Sequence, residues 1–502
     1  EQINVQVAGP DSVVIAWVTF EQQAPAEPPV VSIAKKGEQP KELQGVTHEH
    51  VTPAGDRTYY MHFVRVGGLA ERAAYSYTVH SGGAGATTSA EYTFRAPYSS
   101  GETKIDLYGD MGIYEYNNMD QLYKDCVEGT AADLIIHMGD HAYNEGDSDE
   151  RRADGYFSGF QKTVASCPWV PVVGNHEYYS SEELSRYMDS TWQKWGPVTG
   201  GNVSHMKSAT RKATSTATSA LGALLSTGLH HGPGSVGDHP SNTSRYFSMD
   251  VGLMHLVALD LNGYYGCDPC GEECKKAQLD WLEEDLRRAN QNREKTPWLV
   301  VFSHFPVYCT GCHAAQVSGE FYASDAAETL GNGNATAARA WDKANLKAGA
   351  KSNTKASQAA DETIKDFVPL FDKYSVDLYA AGHWHYYESL WPAAKGNKTC
   401  LSCAKPTQLT FEQPKVTVHV TTGNGGPPGK DTFCESGSGS PDCDNIPATR
   451  KQTNEFSYGR LVAHNATHLT YQQIFNLNGS VFDEFVVVQS KHPFNQQDEV
   501  VV

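Results

Sequence analysis

Five short stretches carry side chains that could bind metal ions, and each follows an apolar run. The apolar runs span residues 104–108, 134–138, 169–173, 299–303 and 376–381. The stretches that follow them begin, in the same order, at Gly109, Gly139, Gly174, His304 and Gly382. Loops at the carboxyl ends of neighbouring strands converge on one crevice, so we expect the five to meet. Each motif alone is weak evidence, since Gly-Asp is common in turns and His-x-His is common in packed strands. Five in this order are hard to assign to chance.

The candidate ligands combine carboxylate, phenol, amide and imidazole groups: Asp110, Asp140, Tyr143, Asn175, His304, His383 and His385. Carboxylates and a phenolate suit trivalent iron, while Asn and His suit a divalent ion such as zinc, iron or manganese. A pair of ions can bind a phosphate ester and stabilise the attacking and leaving oxygens of an in-line displacement. Such ions also lower the pKa of bound water, which would allow hydrolysis at acid pH.

The elements that must position these residues fall into two parts. Residues 1–98 alternate apolar and polar residues between Gly, Pro and Ser clusters, a pattern typical of a small β-sandwich. From residue 99, apolar β-type runs alternate with helical stripes, such as Leu279, Leu282 and Leu286, which favours an α/β domain. Insertions near 205–243 and 314–360 exceed ordinary loop length, and are interpreted as solvated segments or as a lid over the site.

In order and spacing, the five motifs resemble those of the plant-type, high-molecular-weight purple acid phosphatases of the metallophosphoesterase superfamily. The stretches 418–426 and 458–461 extend the resemblance. It implies a fibronectin-III-like β-sandwich over residues 1–98. It also implies a catalytic domain over residues 99–502, built as an α/β/β/α sandwich.

The resemblance also implies a role for each ligand. Asp110, Tyr143 and His385 would hold Fe(III), with the Tyr143 phenolate giving a charge-transfer colour. Asp140 would bridge the two ions. The divalent ion would be held by Asn175, His304 and His383.

Two histidines are candidates for catalysis. His176 would contact the substrate phosphate or stabilise the transition state. His313 is a candidate to bind phosphate or protonate the leaving group, with an ordinary surface histidine as the alternative. Family members often carry a second histidine at the next position, where this chain has Ala314, so the general acid stays open. Glu177 either supports His176 or is a surface carboxylate, and His137 is interpreted as a packed core histidine.

Composition excludes several classes of function. The net charge is −19, from 40 Lys and Arg against 59 Asp and Glu, and no basic block argues for nucleic-acid binding. No apolar run approaches the ~20 residues of a membrane span. An acidic surface repels anions at long range, so bound metals would have to attract a phosphate ester.

Sequons and cysteines favour a secreted glycoprotein. We expect N-linked glycans at Asn202, Asn242, Asn334, Asn397, Asn465 and Asn478, and removal of a leader before Glu1. Close pairs of cysteines, such as Cys309 and Cys312, are interpreted as disulfides rather than zinc ligands. Eleven cysteines leave one unpaired within the chain, so the protein is either a monomer or a homodimer.

The predicted activity is that of an acid phosphatase that hydrolyses small phosphate monoesters. Two alternatives remain open. One is a phosphodiesterase or nucleotide pyrophosphatase using the same metals. The other is a glycosylated extracellular structural component that keeps the fold.

Overall fold

The computed structural model describes residues 1–178, 241–308, 353–431 and 449–490, together with the backbone of residues 206–207. Within these ranges, residues 21–26, 53–54, 56, 83–86, 242, 266–270, 392, 395–397, 400–408 and 415 are left out. Most of both predicted insertions, the close cysteine pairs and His313 therefore lie outside the described residues.

The first eight strands belong to the N-terminal part. They are β1 (Asn4–Gly9), β2 (Ser12–Thr19), β3 (Val30–Lys35), β4 (Lys41–Gln44), β5 (Val46–Val51), β6 (Thr58–Val66), β7 (Ala74–His80) and β8 (Tyr92–Arg95). β5, β6, β2 and β1 are neighbours in one sheet, and β4, β3, β7 and β8 form another. Residues of both sheets, including Val13, Ile15, Trp17, Val31 and Tyr77, share one core, as expected of a β-sandwich.

The remaining strands form most of two larger sheets. They are β9 (Thr103–Tyr108), β10 (Leu134–Met138), β11 (Trp169–Val172), β12 (Met206–Lys207), β13 (Phe247–Val251), β14 (Met254–Leu259), β15 (Trp298–Ser303), β16 (Leu378–Ala381), β17 (Tyr387–Leu390), β18 (Ala393–Ala394), β19 (Lys398–Thr399), β20 (Thr410–Glu412), β21 (Val418–Thr422), β22 (Thr449–Thr453), β23 (Ser457–Ala463), β24 (His468–Phe475) and β25 (Val481–Val488). One sheet has the order β13-β14-β15-β16-β21-β17-β22, and the other contains β11-β10-β9-β23-β24-β25-β20. Buried residues of both, such as Leu107, Ile136, Val300 and Leu378, form one shared core, so the two sheets pack face to face.

Helices cover the outer face of each sheet. They are α1 (Met119–Leu122), which continues as a π-helix (Tyr123–Glu128), α2 (Arg151–Val164), α3 (Gly271–Gln291) and α4 (Asn353–Tyr374). Phe160 of α2 packs with Trp169 of β11, whereas Leu286 of α3 and Phe371 of α4 pack with Val301 of β15. The predicted α/β/β/α sandwich is confirmed. Among the described helices, none has the length and apolar composition needed to cross a bilayer.

The N-terminal sandwich and one sheet of the larger domain are joined by hydrogen bonding. β1 pairs in parallel with β11 through Gln6 and Trp169, so the two parts share one continuous sheet. β2 is apolar on both faces for this reason. Val13, Ile15 and Trp17 face the sandwich core, while Val14, Ala16 and Val18 join the core of the larger domain. The boundary predicted near residue 98 stays a prediction.

A disulfide fastens one outer layer. Cys126 in the π-helix bonds to Cys167, just before β11, with Cα atoms 5.8 Å apart. Neither residue belongs to the close pairs singled out in the sequence, because the two are 41 residues apart.

Candidate metal centre

Two sets of parallel strands deliver the five motifs to one place. β9, β10 and β11 are parallel neighbours in one sheet, and β15 and β16 are parallel neighbours in the other. The loops after them meet because glycine lets the two backbones touch. A Cβ atom on Gly109 would lie 2.8 Å from the Cα of Gly382, and one on Gly174 would lie 2.3 Å from Asp140 Oδ1. Any larger residue at either position would push the loops apart.

Asp110, Tyr143 and His385 form a first group of facing donor atoms. The Tyr143 hydroxyl lies 3.1 Å from Asp110 Oδ1 and 2.8 Å from His385 Nε2. His385 Nε2 is 3.6 Å from Asp110 Oδ1. A phenol, a carboxylate and an imidazole therefore point at one small volume.

Asn175, His304 and His383 form a second group. Asn175 Oδ1 lies 2.8 Å from His304 Nε2 and 2.9 Å from His383 Nδ1. The two imidazole nitrogens are 3.3 Å apart. Such crowding of an amide oxygen and two imidazoles is the arrangement expected around a divalent ion.

Asp140 links the groups. Its Oδ2 is 3.3 Å from His304 Nε2, and carboxylate oxygens of Asp110 and Asp140 lie within 4.8 Å of His304 and of each other. All three residues are buried. The Asp140 carboxylate thus lies within 4.8 Å of Asp110 in the first group and of His304 in the second, as a bridging carboxylate requires.

Backbone strain concentrates in these loops. Asp110 (φ 62°), Asp140 (φ 54°), Tyr143 (φ 54°), Asn144 (φ 73°) and His383 (φ 71°) all have left-handed conformations. Each such non-glycine residue costs on the order of 1–3 kcal/mol, so the surrounding fold must compensate for it. Four of the five are candidate ligands, and this concentration of strain indicates a functional site.

The charges of the centre favour a bound cation. Burial alone would lower the pKa of His304, but the facing carboxylates of Asp140 and Asp110 raise it to about 9. Burial raises the pKa of Asp110 well above its usual value. For Asp140, burial also acts upward, but the charges of His304 and His176 outweigh it, and its pKa is lowered. The carboxylates thus create a local demand for positive charge.

The other imidazoles are suited to act as neutral ligands. Burial lowers the pKa of His383 well below its usual value and lowers that of His385. Metal ligands must be deprotonated, so these shifts favour coordination. His304 Nδ1 lies 2.9 Å from the carbonyl oxygen of Met138, which fixes that nitrogen as the donor and turns Nε2 toward the centre.

A supporting layer was only partly predicted from the sequence, which indicated Glu177 as a possible support for His176 and did not mark Asp431. Glu177 is fully buried, and its carboxylate accepts hydrogen bonds from the backbone N–H groups of Asp140, His141 and Gly174. The alternative of a surface carboxylate is wrong, because the chain around Glu177 folds under the two ligand loops. Asp431 accepts a hydrogen bond from the backbone N–H of His385. The Gly-Asn-His-Glu motif was the signal for Glu177, whereas nothing local marks Asp431.

His176 lies at the edge of the centre. Its backbone N–H donates to Asp140 Oδ1 at 2.9 Å, and its Nδ1 lies 2.7 Å from Asn144 Oδ1. Burial lowers the pKa of His176 to about 4. The described structure thus brings all seven predicted ligands together with His176, while His313 falls outside the described residues. His137 is buried in β10, as predicted, with Nδ1 2.7 Å from the Tyr156 hydroxyl.

Family profiles cover most of the chain. Residues 103–387 match the family described as "Calcineurin-like phosphoesterase". Residues 1–96 match "Purple acid Phosphatase, N-terminal domain", and residues 416–484 match "Iron/zinc purple acid phosphatase-like protein C".

Individual relatives have low sequence identity to this chain, but their matches cover most of its length. The chain is 24% identical to "Acid phosphatase type 7" of Homo sapiens over 97% of this chain and 91% of that protein. It is 24% identical to "Purple acid phosphatase 21" of Arabidopsis thaliana, over 62% of this chain and 57% of the relative. The structure of a purple acid phosphatase from yellow lupin seeds (Lupinus luteus) superposes with a TM-score of 0.63 at 18% identity. That superposition covers 97% of this chain and 74% of the lupin chain, and it supports the fold.

Proposed function

Because the chain belongs to the purple acid phosphatases of the calcineurin-like phosphoesterase family, we propose that it is an acid phosphatase acting on phosphate monoesters. The observation that carries the proposal is the meeting of two donor groups across Asp140, whose Oδ2 is 3.3 Å from His304 Nε2. The family implies a binuclear metal site, and the donor set fits one.

The first group would hold Fe(III), because the Tyr143 phenolate and the Asp110 carboxylate are hard anionic donors and His385 completes the set. Asn175, His304 and His383 would hold the divalent ion, which is zinc, iron or manganese. When bound, the two ions would supply a nucleophile from water at low pH and neutralise the charge of the phosphate.

His176 is the residue we assign to the substrate. Asn144 Oδ1 accepts a hydrogen bond from the Nδ1–H group of His176, which holds the ring and leaves Nε2 3.6 Å from Asp140 Oδ2, beside the ligand groups. From there Nε2 can donate to a phosphate oxygen when it is protonated, which acid pH favours since the pKa is about 4. His313 stays a candidate general acid.

Further features of the proposal concern the protein as a whole. Residues 1–98 would form the fibronectin-III-like domain and residues 99–502 the catalytic domain. Asn465 and Asn478 are exposed, which supports glycosylation there and a secreted protein. The asparagines of the other four sequons lie outside the described residues. The chain would act as a monomer or a homodimer.

The test is release of phosphate from an aryl monoester between pH 4 and 8, with iron content measured on the same sample. We expect activity strongest at acid pH, abolished in Asp140→Ala and retained in Asp11→Ala, a matched change at an exposed aspartate. A bis-aryl diester run in parallel distinguishes the phosphodiesterase. Faster turnover of the diester, or equal activity in Asp140→Ala, would overturn the proposal.

A further inference from the structure

A second cluster of metal-type side chains lies behind the ligand loops. It consists of His141, Glu145 and Glu177, whose donor atoms lie within 4.8 Å of one another. The His141 ring contacts Tyr156 of α2 and Trp169 of β11. The cluster therefore faces the helical layer, whereas Asp140, the neighbour of His141, faces the candidate metal centre.

The spacing within this cluster is that of ligands around an ion. His141 Nδ1 lies 3.4 Å from Glu145 Oε1 and 3.6 Å from Glu177 Oε1. Hydrogen bonds between such groups span roughly 2.7–3.2 Å. Two ligands bound tetrahedrally to zinc at ~2.1 Å are separated by ~3.4 Å. Facing pairs in the candidate metal centre have similar separations, 3.3 Å for His304 and Asp140 and 3.6 Å for His385 and Asp110.

The charge of the cluster also calls for a cation. Glu145 is 1% exposed, and neither of its carboxylate oxygens has a hydrogen-bond partner among the described residues. Glu177 is fully buried beside it. A buried carboxylate without donors, such as that of Glu145, is costly, and buried charges of this kind commonly bind an ion.

We propose that His141, Glu145 and Glu177 bind a divalent metal ion in addition to those of the candidate metal centre, and that zinc is the ion. One imidazole and two carboxylates form a ligand set that zinc accepts. His141 and Glu145 belong to the loop of Asp140 and Tyr143, whereas Glu177 follows Asn175 and His176. The ion therefore joins two ligand loops and has a structural role, distinct from the proposed hydrolysis.

The test is the metal content per chain of purified full-length protein after reconstitution with Zn²⁺, measured by elemental analysis. We expect Glu145→Gln to hold one ion fewer than the wild type, and Glu115→Gln, a matched change at an exposed glutamate, to hold the wild-type number. His385→Ala should lose metal from the candidate centre and still lose one further ion when combined with Glu145→Gln. Equal zinc content in wild type and Glu145→Gln would overturn the proposal.

A second measurement needs no variant. Anomalous scattering at the zinc edge from wild-type crystals should show a peak beside His141 Nδ1, separate from those of the candidate metal centre. Electron density for a water molecule without anomalous signal at that position would refute the proposal, even if Glu145→Gln failed to fold.

Discussion

Glu177→Gln should loosen the two loops that carry Asp140 and Asn175. In the wild type, Glu177 Oε2 accepts from the N–H groups of Gly174 at 2.6 Å and Asp140 at 2.9 Å, and Oε1 accepts from His141 at 2.9 Å. Glutamine keeps one acceptor oxygen but turns an NH₂ group toward the third N–H. In the variant, two of the three hydrogen bonds therefore go to a neutral acceptor instead of a charged one, and the third hydrogen bond is lost.

The expected cost follows from these three bonds. A hydrogen bond to a charged group contributes about 1.5–3 kcal/mol and a neutral one about 1 kcal/mol, while a buried donor left unsatisfied costs about 1–3 kcal/mol. Two bonds that each weaken by about 0.5–2 kcal/mol and one unsatisfied donor at about 1–3 kcal/mol amount to about 2–7 kcal/mol of local stability, with a middle value of about 4.5 kcal/mol. A shift of the loops by 1 Å can lower turnover by about 100-fold, so activity should fall steeply.

Amide hydrogen exchange measures this loss directly. In protein stripped of metal, the N–H groups of Asp140, His141 and Gly174 should exchange at least about 100-fold faster in Glu177→Gln than in the control. Glu145→Gln is the matched control, because it removes a carboxylate from the same buried cluster without contacting any of the three N–H groups. Equal protection in the two variants would refute the role of Glu177 in holding the two ligand loops together.

Three further outcomes are expected. Tyr143→Phe should bind iron but lose the visible charge-transfer band, and a band that persists in its absorption spectrum would contradict the assignment of Tyr143 as the iron phenolate. Burial alone would lower the pKa of His255. The facing carboxylates of Asp285 and Asp250 outweigh it and raise the pKa to about 10. Because this is above the unfolded value of about 6.5, the stabilisation is complete below pH 6.5 and disappears as pH rises through 10. The loss of Tm in Asp285→Asn should therefore be largest near pH 6 and smallest near pH 10, and a loss independent of pH would count against the ion pair. Arg293 donates to Asp377 at 2.6 Å, and both are buried. Arg293→Met should destabilise the protein by about 3–5 kcal/mol in thermal unfolding, because it strands the Asp377 charge. Adding Asp377→Asn, which removes that charge and keeps an oxygen for the Leu299 N–H, should restore part of the loss, and no recovery in the double variant would refute the stranded-charge explanation.

Much of the candidate metal centre could be predicted from short stretches of sequence. A ligand type, a preceding apolar run and a glycine are all local features, so Gly109-Asp110 and Gly382-His383 could be recognised where they stand. The stripes of α3 and α4 were also predictable, because an amphipathic helix records in its own sequence which face it buries.

Contacts between distant segments were decided only by the tertiary structure. The pairing of Gln6 with Trp169 joins segments that are 163 residues apart in the chain. The alternation of side chains along β1 does not specify which sheet edge this strand joins. The Cys126–Cys167 disulfide depends in the same way on where α2 returns the chain.

The buried glutamates behind the ligand loops show most clearly what cannot be predicted from sequence. Glutamate is a residue type that usually lies at the surface. Glu177 and Glu145 are nevertheless buried, since the loops of β10 and β11 close over them. A sequence records the chemistry that each side chain can perform and the local conformation that its neighbours favour. The environment of a charge depends on every segment that packs around it, so the burial of these carboxylates, and the ion we propose between them, emerge only when the sheets and helices are assembled.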